Sequence, residues 1–138
     1  MTDTPTVPAH ALPHRTPTQL LTVARRGLTE AAQTRSDGLR YATAHLAALR
    51  AASALLAARA RPTTTGRGRL NSVWALLAEV APEMSEWAAH FADGAVKRAA
   101  AEAGIPRVVT GQQADDLLRA AEQFVTVVET ALGLGRPQ

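Results

Sequence analysis

Apolar residues recur at helical spacing in several stretches of the chain, and none alternates with a period of two over a useful length. The longest clean stretch is Leu39 to Ala60, dense in Ala and Leu and free of Pro and Gly. Its apolar positions run Leu39, Ala42, Leu46, Leu49, Ser53, Leu56, Ala60, stepping alternately by three and four. That is the seam of helices packed at shallow angles. The many neighbouring alanines let partner helices approach closely, so this helix is the expected centre of a bundle. Before it, Leu20, Leu21, Ala24, Leu28 and Ala31 form one helical stripe. After it, Val73, Trp74, Leu76, Leu77 and Val80 begin a third, which resumes past Pro82 with Met84, Trp87, Ala88, Phe91 and Ala95. The last stripe is the widest: Ala114, Leu117, Leu118, Ala121, Phe124, Val125, Val128 and Leu132. The expected fold is all-α, an up-and-down four-helix bundle with a kinked or extra short helix.

Punctuation sets the boundaries. Thr16-Pro17-Thr18-Gln19 opens the first helix, with Thr16 as cap, Pro17 at the first helical position and Gln19 closing a capping box. Asp37 is the expected cap of the second helix, Asn71 or Ser72 of the third, and Thr110 with Gln113 of the last. Pro82 breaks or kinks the third, Gly104 stops its continuation, and Gly133 ends the last. Residues 1–16, with Pro5, Pro8 and Pro13, read as a disordered tail, and 134–138 as another. The bundle is expected over 17–133, interrupted at 61–70 by a flexible basic loop. That loop is no phosphate-binding Walker loop, because the Gly spacing and the Lys-Ser/Thr ending are missing.

Composition narrows the chemistry. There is no cysteine, so disulfides and thiolate metal sites are excluded, and the four His are scattered. Asp115 and Asp116 lie in the first turn of the last helix, where its dipole favours negative charge, and so carry no suggestion of a metal. No metal or other cofactor is expected. No apolar run approaches the roughly 18 residues of a membrane span. The N-terminus lacks the basic-then-apolar pattern of a secretory signal, so a soluble cytoplasmic protein is expected.

Charge is divided along the chain. Residues 1–70 hold ten Arg against Asp3, Glu30 and Asp37, a net +7, whereas residues 71–138 hold five basic groups against nine acidic ones, a net −4. Such a division suits either a polyanion partner or electrostatic self-association. Arg50, Arg59, Arg61, Arg67 and Arg69 are the candidate contacts to a phosphate backbone. Trp74, Trp87 and Phe91 read most simply as core, with base stacking as the alternative.

The second helix resembles a known family. Tyr41-Ala42-Thr43-Ala44-His45-Leu46-Ala47-Ala48-Leu49-Arg50-Ala51-Ala52 is similar to the A-H-x-A-A-x-x-A helix of HEPN domains, the "higher eukaryotes and prokaryotes nucleotide-binding" superfamily. Ala114-Asp115-Asp116-Leu117-Leu118 through Phe124-Val125 is similar to its closing helix, and the segments between resemble a small stand-alone branch from high-GC bacteria. The resemblance covers roughly Leu20 to Leu132. It implies a four-helix bundle that commonly forms homodimers. Some members are metal-independent ribonucleases marked by an Arg, four to six residues, then a His; others bind RNA or nucleotides, or partner a nucleotidyltransferase.

Arg40 and His45 fit the shortest spacing of that motif. In such a site His45 would serve as general base on a ribose 2′-hydroxyl or as acid on the leaving oxygen, and Arg40 would neutralise the transition-state phosphate. An offset of five residues turns the two side chains about 140° apart on an ideal helix, so a dimer cleft would suit them better than one isolated helix. The motif usually has a polar Asn, His or Asp after its Arg and lies on a later helix; here Tyr41 follows Arg40, on an early one. The leading expectation is therefore a non-catalytic module that binds RNA, a nucleotide or a protein partner through its basic half. An endoribonuclease using Arg40 and His45 is the alternative, and a purely structural helical dimer or adaptor the third reading.

Overall fold

A computed structural model of the chain describes residues 6–8, 15–63 and 72–134. Among the described residues there are five α-helices: α1 Pro17–Ala32, α2 Asp37–Arg59, α3 Val73–Val80, α4 Ser85–Glu102 and α5 Gly111–Ala131. The four long ones make the up-and-down bundle, and α3 is its extra short helix. None of the described helices is long and apolar enough to cross a membrane. Within the stretches read as a tail and a basic loop, β1 (Thr6–Pro8) pairs in parallel with β2 (Arg61–Thr63), Val7 facing Pro62.

The local signals act where they stand in the sequence. Thr16 Oγ1 accepts from the Gln19 amide at 3.1 Å while the Gln19 side chain accepts from the Thr16 amide at 2.9 Å. Thr110 and Gln113 repeat this at the head of α5. Such a reciprocal pair satisfies two amides that the first helical turn leaves without a partner. Ser72 caps α3, and Pro82–Met84 form a single 3₁₀ turn that separates α3 from α4. Gly104 and Gly133, both with positive φ, follow α4 and α5. One cap differs from expectation. Ser36, not Asp37, accepts from the Leu39 amide at the start of α2, and Asp37 lies in the first turn.

The centre of the bundle is α2, which packs against α1, α3, α4 and α5. Of its expected seam, Ala42 and Leu56 are buried and the other positions are not. Leu39 is 53% exposed and Leu46, Leu49 and Ser53 are half-buried, whereas Ala44, Ala48, Ala51, Ala52 and Leu55 are wholly buried. The physical reason is close approach: an alanine face lets neighbouring backbones come nearer than a leucine face. At the crossing with α1, a Cβ added at Gly27 would lie 3.3 Å from the Ala47 Cβ. The aromatic stack of the core comes from the other helices. Trp74 of α3 stacks on Phe91 of α4 at 5.2 Å between ring centres, and Phe124 of α5 meets Phe91 at 5.3 Å and Trp87 at 5.5 Å. The aromatic residues thus serve as core. On the far side, Glu129 of α5, itself buried, receives a two-pronged ion pair from Arg25 of α1.

Candidate functional site

Arg40 projects from the first turns of α2 toward the α1–α2 turn and the head of α5. Its Nε donates to Asp115 at 3.0 Å and one terminal nitrogen donates to Asp37 at 2.9 Å. The other terminal nitrogen donates to the Thr34 and Arg35 carbonyls, each at 3.1 Å. Those carbonyls lie just past the end of α1, in the turn that a cation can tie off. A planar guanidinium with fixed donors suits such a junction of carbonyls and carboxylates.

His45 lies in different surroundings. It is wholly buried, stacked on Tyr41 at 6.4 Å between ring centres and met edge-on by Trp74 and Phe91 at 5.8 and 5.9 Å. Its Nε2 lies 2.7 Å from the Phe91 carbonyl oxygen. A carbonyl only accepts, so the proton is on Nε2 and Nδ1 is the bare nitrogen, which has no partner among the described residues. Burial drives the imidazole pKa below its ordinary value, against the opposing pull of the Phe91 carbonyl. The ring is therefore neutral at neutral pH. Arg40 and His45 share no hydrogen bond, and each is engaged by a different set of helices.

The basic candidates are dispersed. Arg59 forms an ion pair with Glu83, joining the end of α2 to the 3₁₀ turn. Arg50 is half-buried on α2, with its Nε unpaired among the described residues. Arg61 is described through its backbone in β2, and Arg67 and Arg69 lie outside the described residues. Two other cations share one shallow depression along α1. Arg15 and Arg26 line it together with Thr18, Gln19 and Thr22, and neither forms an ion pair with a described residue.

A cleft that sequence reasoning did not assemble opens between α4 and α5, floored by α2. It has a volume of about 320 Å³ and is lined by Tyr41, by His90, Asp93, Gly94 and Lys97 of α4, and by Gln113, Asp116, Leu117 and Ala120 of α5. The Tyr41 ring is buried and its hydroxyl reaches the cleft beside Gly94. Gly94 makes this possible: a Cβ there would lie 2.6 Å from the Tyr41 hydroxyl and 3.2 Å from His45 Cδ2. Desolvation pushes the Tyr41 phenol above its ordinary range, so it stays protonated and able to donate. A glycine inside an otherwise helical pattern was the one sequence signal for this close approach.

Among the described residues, no three His, Asp or Glu side chains gather as a metal site would require. No curated protein and no solved structure gives a significant match to the chain. The family model for SAV_6107-like HEPN matches residues 31–129, which span α2 through nearly all of α5 and include both Arg40 and His45. The chain belongs to the HEPN superfamily, in its SAV_6107-like family.

Proposed function

We propose that this HEPN protein is a non-catalytic module that binds RNA or a nucleotide through phosphate contacts from its basic N-terminal half. The observation that carries this reading is the burial of His45. A general acid or base works within hydrogen-bond reach of the proton that it moves. The Nε2 proton of His45 is already held by the Phe91 carbonyl, beneath three aromatic rings. Arg40 likewise has its donors directed to carbonyls and carboxylates of its own chain. Arginines without partners among the described residues are better placed to meet a polyanion, and Arg15, just ahead of α1, and Arg26 on α1 line one depression.

The test is binding of labelled single-stranded RNA across a salt series, wild type beside an Arg15→Ala/Arg26→Ala variant. Affinity falls steeply with salt, and the double substitution lowers the slope of log K against log salt by about 1.4, roughly 0.7 for each lost phosphate contact. Absence of salt-dependent binding, or an unchanged slope in the variant, overturns the reading.

One observation favours binding of a protein partner as a second reading. Ala89, Ala92, Val96, Ala99 and Ala103 are exposed along α4 and its end, at alternating steps of three and four, and Val96 is 79% exposed. Such a face suits a second copy of the chain or a helical partner, a nucleotidyltransferase among them. A dimer in solution that Val96→Glu converts to monomer supports self-association; a monomer at every concentration removes that version.

A further inference from the structure

The cleft over Tyr41 has features that packing alone does not require. Tyr41 is 6% exposed, yet its hydroxyl forms no hydrogen bond with any described residue and is directed into the opening. The hydroxyl is open to the cleft and not sealed in the core, so a ligand there can replace water as its partner. Gly94 keeps the space that the hydroxyl occupies. On the wall above it, Asp93 and Lys97 stand at i and i+4 on α4, the spacing and order at which helical acid–base pairs form. Neither joins an ion pair within the described residues, whereas Arg98 and Glu102, five residues further along, form theirs at that same spacing. On the facing wall Asp116 is already engaged by Gln112 and Arg119, which leaves Asp93 and Lys97 as the uncompensated charges of opposite sign. Leu117 and Ala120 supply an apolar wall.

We propose that this cleft binds a small zwitterion of the free amino-acid class: its ammonium group against Asp93, its carboxylate against Lys97 and the Tyr41 hydroxyl, and its aliphatic part against Leu117 and Ala120. The two uncompensated charges match a ligand that carries one group of each sign a few bonds apart. The volume suits a molecule of that size and leaves no room for a folded polymer. The site uses none of the arginines of the RNA reading, so either can fail without the other.

The test is a titration of the ¹⁵N-labelled full chain with L-leucine to about 10 mM, enough to half-saturate a site of millimolar affinity. Leucinamide and N-acetyl-leucine are titrated in parallel, and the other protein amino acids follow as a panel. An amino acid moves the amides around Tyr41, Asp93 and Lys97. Each capped analogue, lacking one charge, binds about tenfold more weakly, as does L-leucine, or the best panel member, to Asp93→Asn or Lys97→Gln. Both substitutions are at the surface of the cleft, away from the core, so the variants remain folded. No shift at these positions with any amino acid overturns the proposal, as does equal binding of the capped analogues or unchanged binding by both variants. Shifts there from a nucleoside monophosphate and from no amino acid would also overturn it, and would assign the cleft to a phosphate ligand.

Discussion

Arg40 lies near the start of α2 among carbonyls and carboxylates at the edge of solvent, while His45, a little more than one turn further on, lies among aromatic rings with a single hydrogen bond. The two share a helix and a family motif. What separates them is rotation: five residues carry a side chain about 140° around the axis, so neighbouring elements meet them from different sides. The α1–α2 turn and the head of α5 engage the first; α3 and α4 engage the second. A spacing in sequence becomes a site only when the surrounding helices leave both side chains facing one opening. Here they close around each separately.

The largest effect should come from the His45 side. His45→Ala removes a buried ring and its bond to Phe91, and should cost about 2–4 kcal/mol in urea unfolding. His45→Leu, which keeps most of the volume, should cost about half as much, because the Phe91 carbonyl is inside α4 and keeps its helical hydrogen bond. Equal losses in the two variants would mean that the polar contact, not the filled volume, matters most.

Next is the contact that seats Tyr41 beneath α4. Gly94→Ala places a methyl 2.6 Å from the Tyr41 hydroxyl, and should cost about 1–3 kcal/mol. Adding Tyr41→Phe should recover part of that loss, since it removes the atom in collision. Additive losses in the double variant would contradict the close approach.

Arg40→Ala should cost less, about 1–2 kcal/mol, although Arg40 makes more hydrogen bonds than His45. Asp37 and Asp115 are each roughly half exposed and return to water when the guanidinium is gone. A loss larger than that of His45→Ala would reverse the ranking of the two regions.

The smallest effect is in pH. The folded pKa of His45 is depressed by burial, so the unfolded chain takes up a proton near its ordinary value of about 6.5 while the folded one does not. Stability from this group is complete above that pH and falls as pH drops below it, by at most about 1.4 kcal/mol per unit. Unfolding at pH 7.5 and 5.5 should show a larger drop for wild type than for His45→Leu. An identical drop in both would mean that other groups carry it.

Much of this fold is local and hence readable in the sequence. The capping boxes at Thr16 and Thr110 involve side chains three residues from their partners, and Pro82 interrupts a helix by its own covalent structure. The burial pattern of α2 was less legible. A helix surrounded by four others is apolar on most sides, and periodicity cannot then say which face is deepest. Ala44, Ala48, Ala51 and Ala52 are wholly buried beside Leu55, whereas the spacing placed Leu39, Leu46 and Leu49 in the seam. The surroundings of His45 depended on a carbonyl 46 residues away, beyond any local pattern. The Tyr41 cleft is tertiary in the same sense: Asp93 and Lys97 were visible as an i, i+4 pair, but nothing in the sequence said that they would face α5 rather than each other.

We propose a structural role for Arg40 and His45, one that holds the bundle together and does not cut RNA. Its most direct test is incubation of the purified protein with end-labelled single-stranded RNA in EDTA, with Arg40→Lys alongside. Intact RNA is expected in both lanes, together with a salt-sensitive shift in mobility. Products ending in a 2′,3′-cyclic phosphate, formed by the wild type and lost in Arg40→Lys, would contradict it.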